Sequence, residues 1–127
     1  MTTTAVQALC VFIGAGLGAV IRWRIGIWAD GVGPGFFTGA MAANLLGSLL
    51  AGVIAGVFET RTHIPQETRL LLVTGFLGGF TTFSAFSLEM TALLSSRAML
   101  GLAIIVGKVA ACLALTFAGL GIARKFL

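Results

Sequence analysis

A chain of 127 residues in which 58 % are hydrophobic and 9 % charged, with a mean hydropathy of +1.09, is too apolar for a water-soluble monomer. Its formal charge of +4 comes from eight Lys and Arg scattered along the sequence, which form no basic tract of the kind that grips nucleic acid. Cys10 and Cys112 are each embedded in apolar sequence without metal-ligand spacing, which argues against a zinc site or an oxidised framework.

The chain opens with MTTTAVQALC, a short polar cap without Lys or Arg, before an apolar run over 5–21. A cleaved signal peptide needs a basic n-region and a processing site, so the run predicts a retained first transmembrane helix. It is expected to end around Arg22, Trp23, Arg24 and Trp28, where guanidinium groups snorkel and indoles sit at headgroup level. Residues 30–35, with Gly31, Gly33, Pro34 and Gly35, predict a turn.

A second helix is predicted over 37–58, long enough at about 1.5 Å per residue to cross a core about 30 Å thick. It carries Asn44 and Ser48, four apart and therefore on one face. An amide at that depth is either interhelical glue or part of a polar path. The segment 59–69, ETRTHIPQETR, is the clearly water-exposed loop, and its lone His63 has no partner at metal-ligand spacing. Across the apolar segments, Gly14/Gly18, Gly52/Gly56 and Gly75/Gly79 read as close helix contacts.

The third span, 70–94, contains the stretch that needs most explaining, GFLGGFTTFSAFSLE at 75–89. In an unbroken helix Phe80, Phe83 and Phe86 would lie at i, i+3 and i+6 along one face. Gly78 and Gly79 weaken the helix in mid-segment, and a break there would free backbone groups at membrane depth. Such groups are tolerated only when buried in protein or lining a water-filled cavity, so a broken helix is a candidate ion site. Glu89, the one formal charge of this span, is expected to face a vestibule, because a charge at mid-bilayer costs about 2.5–3.5 kcal/mol on insertion scales.

Ser95, Ser96 and Arg97 predict a short turn before a fourth helix over 99–123. Lys108, Cys112 and Thr116 lie four apart on one stripe of it. Lys108 either snorkels to the interface or lends positive potential to an anion path in the bundle interior. With the N-terminus inside, one side of the membrane collects Arg61, Arg69, Arg124 and Lys125 and the other Arg22, Arg24 and Arg97. That is almost no positive-inside bias. Such a protein can insert in either orientation, and an antiparallel pair would supply in trans the inverted symmetry that larger transporters build from repeats.

GGFTTFSAFSLE at 78–89, with NLLGS at 44–48 and Arg22 closing the first helix, resembles the Fluc/CrcB family of small bacterial fluoride channels, and the similarity covers all four helices. It implies an all-α integral membrane fold, a single four-helix membrane domain over 1–127 with a broken third helix, assembled as an antiparallel, dual-topology dimer in the bacterial inner membrane. It also implies passive export of fluoride through two pores at the subunit interface, protecting against fluoride toxicity, and no enzymatic activity.

Carried over by position, Phe83 and Phe86 match the pore-lining phenylalanines and Asn44 the asparagine whose amide reaches toward them. Gly78 and Thr81 match the positions whose carbonyls, two from each subunit, hold a central structural Na+. Arg22 matches an arginine at the entrance region, Glu89 a vestibule carboxylate, and Ser84 and Thr116 hydroxyls along the permeation track. The chemistry is coherent, because fluoride is small and tightly hydrated and a selective pore must replace its water with fixed donors. Amide and hydroxyl groups supply such donors, and the positive edge of a benzene ring stabilises an anion while excluding water.

The chain departs from the commonest pattern at Ala85, where Thr is usual, at Cys112, where Ser is frequent, and at Lys108. These departures leave open an alternative, one subunit of a heterodimer with a diverged paralogous partner. A small multidrug exporter shares the size and the topology, but it needs a membrane carboxylate in the first helix, and 5–21 holds none. A non-conducting regulatory subunit is the third reading. No nucleophile, base and orienting group are arranged together as an enzyme would require.

Overall fold

The computed structural model describes residues 3–31, 38–61 and 63–127. All secondary structure among them is helical, and four stretches, Thr3–Ala29, Gly39–Thr60, Gln66–Ser96 and Ala98–Phe126, are long and apolar enough to cross a membrane. Helix α1 (Thr3–Gly31) carries through Arg22 to Trp28, where its end is expected, and stops three residues after Trp28. No proline stands between Arg22 and Trp28 and the single Gly26 is tolerated inside the helix, while 29 residues at about 1.5 Å each overrun a core about 30 Å thick. Trp23, Arg24 and Trp28 therefore stay exposed on the last turns of α1, whereas Arg22 is half-buried. The turn expected over 30–35 lies mostly outside the described residues, as does the expected start of the second helix at Phe37; Asp30 and Gly31 complete α1.

Helix α2 (Gly39–Thr60) starts at Thr38, whose hydroxyl accepts from the Met41 N–H at 3.2 Å, satisfying one of the donors a helix start leaves open. The third span is composite: α3 (Gln66–Arg69), a π-helical stretch (Leu70–Leu77), α4 (Gly78–Phe80) and α5 (Phe83–Ser96). Arg97 alone separates α5 from α6 (Ala98–Phe126). The water-exposed loop is thus shorter than expected, since α2 continues to Thr60 and α3 begins at Gln66, and His63 is exposed within it.

Two tight seams organise the bundle. Along one, α1 lies on the π-helical stretch and α4: a Cβ added to Gly79 would strike the Ala15 carbonyl, and one added to Gly14 the Leu71 carbonyl. Along the other, α2 lies on α6, where Gly52 meets the Thr116 carbonyl and Gly119 the Leu49 carbonyl. These are close backbone approaches that only a missing side chain permits. The buried apolar set is correspondingly small, with Ala42, Ala43, Ala123, Leu77, Phe80 and Met90 among its members. Phe12, Met99 and Phe117 lie on the outer surface, as expected where lipid is the solvent.

Gly78 and Gly79 are helical, contrary to the break expected there. The extended residues are Thr81 (φ −87°, ψ 162°) and Thr82 (φ −152°, ψ 118°). Gly79 serves close packing on α1, while Thr82 begins α5 by accepting the Ala85 N–H at 3.3 Å on its hydroxyl. The expected stripe of three phenylalanines is divided as a result. Phe80 is 2 % exposed and stacks on Phe76 at 5.5 Å, whereas Phe83 and Phe86 form a separate tilted pair at 5.6 Å.

Candidate functional site

The extended pair Thr81–Thr82 needs partners for its backbone, and Asn44 of α2 supplies them. Its Nδ2 donates to the Thr82 carbonyl at 2.9 Å and its Oδ1 accepts the Thr82 N–H at 2.8 Å. The Arg22 Nε of α1 donates to the Gly79 carbonyl at 3.1 Å from the other side. Arg22 is therefore tied to the third span. It lines a separate cleft with Trp23 and Ala85, so Ala85 lies away from the cleft that holds the paired rings.

The cleft that holds the paired rings, of about 260 Å³, lies between α2, α5 and α6. Met41, Asn44, Leu45 and Ser48 form one wall, a single helical stripe; Phe83, Phe86 and Glu89 form the second; Lys108, Val109, Cys112 and Leu113 form the third. Four expected site residues thus come together here: Asn44, Phe83, Phe86 and Glu89. Phe83 is 77 % exposed and Phe86 half-buried. Ser84 is exposed and does not line the cleft; its hydroxyl pairs with that of Thr82 at 3.2 Å. Thr116 also lies outside, its hydroxyl bonded to the Ser48 carbonyl at 3.1 Å and the Cys112 carbonyl at 3.0 Å.

The Lys108 side chain turns into the bundle toward Glu89. It is 9 % exposed, with Nζ 3.3 Å from the Glu89 Oε2 and 5.9 Å from the Phe86 ring centroid. Glu89 and Lys108 are the charged residues of the cleft lining. Thr82 also lines it, a residue sequence reasoning passed over in favour of Thr81. The available signal was that Thr is a favoured helix N-cap and that Phe83 to Ala85 could supply the first turn.

No group of three or more His, Cys, Asp or Glu among the described residues could hold a metal ion. Backbone oxygens are a different matter. The Thr82 N–H, which would close the next helical bond on the Gly78 carbonyl, goes to Asn44. The Ala85 N–H, four residues beyond Thr81, goes to the Thr82 hydroxyl. The Gly78 and Thr81 carbonyls have each lost the usual helical donor, which suits them to a hard cation.

Residues 9–120 match the model of a family described as CrcB-like protein, Camphor Resistance (CrcB). The chain belongs to the CrcB-like family. Relatives at 44 % identity include a protein of Ralstonia pickettii (93 % of this chain and 94 % of the relative covered), one of Methylobacterium nodulans (94 % and 98 %) and one of Rhizobium etli (96 % and 99 %). Each is named fluoride-specific ion channel FluC. With its four spans, this CrcB-like chain is a multi-pass protein of the bacterial inner membrane and not an enzyme. Within the CrcB-like match fall the lining residues of both clefts, from Ala19 to Leu113.

Proposed function

We propose that this CrcB-like protein is a passive, fluoride-selective channel that exports fluoride from the cytoplasm through pores at the interface of an antiparallel, dual-topology dimer, and so protects the cell from fluoride toxicity. The observation that carries the reading is the cleft wall of Phe83 and Phe86 beside the Asn44 amide. It occurs in a chain 44 % identical, over nearly its whole length, to proteins named as fluoride channels. The cleft is open and Phe83 faces outward, so an inverted second copy would complete the wall that one subunit lacks. The near-equal charge on the two sides, Arg61, Arg69, Arg124 and Lys125 against Arg22, Arg24 and Arg97, favours insertion in both orientations.

The ring edges would meet the anion with positive potential while keeping water out. An amide has two N–H donors and Thr82 takes one, leaving the other to replace hydration. The third span's interruption belongs to the same reading. Gly78 and Thr81 would hold a structural Na+ at the dimer centre, adding positive potential to the interior. Ser84 and Thr116 contribute less directly, Thr116 by fixing α6 against Ser48.

Fluoride efflux from liposomes carrying the purified protein alone, followed with a fluoride electrode beside chloride-loaded controls, tests this directly. Rapid fluoride release without chloride release is expected. Well-folded protein that releases neither ion would overturn the homodimeric channel and point to a diverged second subunit.

A further inference from the structure

The cleft holds one ammonium and one carboxylate, and they are unequally placed. The Lys108 side chain is 9 % exposed and that of Glu89 28 %. At about 1.5 Å per residue, Lys108 lies roughly 15 Å along α6 from Ala98, about a third of the way through a helix long and apolar enough to cross a membrane. Their Nζ–Oε2 separation of 3.3 Å is longer than the roughly 2.7–2.9 Å of a tight charge-assisted bond. An ammonium has three donors, and Glu89 is the one hydrogen-bond acceptor that Lys108 Nζ meets among the described residues. The Phe86 ring lies near the outer limit of a cation–π contact.

A buried ion pair is weak support for a fold, because desolvation offsets the attraction. An ionisable residue at membrane depth that faces a cavity marks a site. Resting on the channel reading above, we propose that Lys108 is an anion-coordinating residue of the cleft and that Glu89 is its displaceable counter-ion. The open donors of Nζ take the entering small anion, and the loosely held carboxylate reclaims the ammonium as the anion leaves. A compact ammonium with rotatable donors suits a small, hard anion. The competing carboxylate keeps that binding weak enough for release, which conduction requires.

Two readouts test this in the full-length protein in liposomes. One is the fluoride concentration giving half-maximal flux. The other is the rate at which Cys112, one turn from Lys108 and in the same lining, reacts with an anionic methanethiosulfonate relative to a neutral one, in a Cys10→Ser background. Glu89→Gln frees the ammonium and should lower the half-maximal concentration about ten- to a hundredfold, the worth of one charge-assisted hydrogen bond, and raise the labelling ratio. Lys108→Met leaves Glu89 without its partner, so it is combined with Glu89→Gln to keep the protein folded. That pair should raise the half-maximal concentration and lower the labelling ratio. A folded double variant matching wild type in both readouts overturns the proposal. A wild-type protein that releases no fluoride defeats the channel reading instead, and the labelling ratio then decides the role of Lys108.

Discussion

Asn44 and Thr82 meet as a two-point amide pair, side chain against backbone, with bonds of 2.9 and 2.8 Å. One side chain on α2 thereby satisfies both polar groups of an extended residue at membrane depth, where water is not available to do so.

Asn44→Ala should therefore cost about 2–6 kcal/mol, because it strands two backbone groups at roughly 1–3 kcal/mol each. Thermal unfolding of the detergent-solubilised protein measures it. Ser48→Ala, one turn along the same wall, is the matched control and should stay within about 0.5 kcal/mol. Equal losses for the two would show that the amide pair contributes nothing special.

The glycine seams give a second prediction. Gly79→Ala and Gly119→Ala push a methyl into the Ala15 and Leu49 carbonyls, and backbone yields poorly, so each should lose about 1–3 kcal/mol. Gly121→Ala meets open space in α6 and should gain about 0.5–1 kcal/mol from the reduced entropy of the unfolded chain. A chemical-denaturation series in mixed micelles gives the ordering, and a destabilised Gly121→Ala would place that position against a neighbour.

The four spans were legible because twenty or more apolar residues leave few alternatives, and the glycine pairs because close approach demands a missing side chain. Helix ends were less so: Arg22 to Trp28 carry interfacial chemistry with no proline and a single tolerated glycine, Gly26, so α1 continues through them. Propensity alone favours an interruption at Gly78–Gly79, yet the close packing of Gly79 on Ala15 holds that turn helical and moves the extended residues to Thr81–Thr82. The Thr116 hydroxyl turns back to the backbone, a local choice open to any Thr that a sequence position does not reveal. Lys108 could be placed on a helix stripe but not given a direction, because its partner lies on another helix, nineteen residues away in sequence.

If the Gly78 and Thr81 carbonyls hold a sodium ion, its removal should be visible as stability. Purification with N-methylglucamine in place of Na+ should lower the unfolding temperature, and returning Na+ but not K+ should restore it. At a Na+ concentration 100 times the dissociation constant the linkage is worth about 2.7 kcal/mol. An unfolding temperature indifferent to Na+ would remove the ion from the proposed assembly.

The three phenylalanines of the third span separate packing from conduction. Phe80 is 2 % exposed and stacked on Phe76, so Phe80→Ile should cost about 1–3 kcal/mol by leaving part of a ring-shaped space unfilled. The protein that does fold should still pass fluoride. Phe83 is 77 % exposed, and Phe83→Ile should leave the yield of folded protein unchanged while flux falls by at least an order of magnitude, since Ile keeps the bulk but has no positive ring edge. Phe86 is half-buried beside Phe83 and beneath Lys108, so Phe86→Ile should lose both flux and some stability. Flux per folded protein, measured alongside unfolding for all three, decides the matter. If Phe83→Ile and Phe86→Ile both conduct like wild type, the ring edges are not what stabilises the anion, and the donors of Asn44 and Lys108 must supply the selectivity alone.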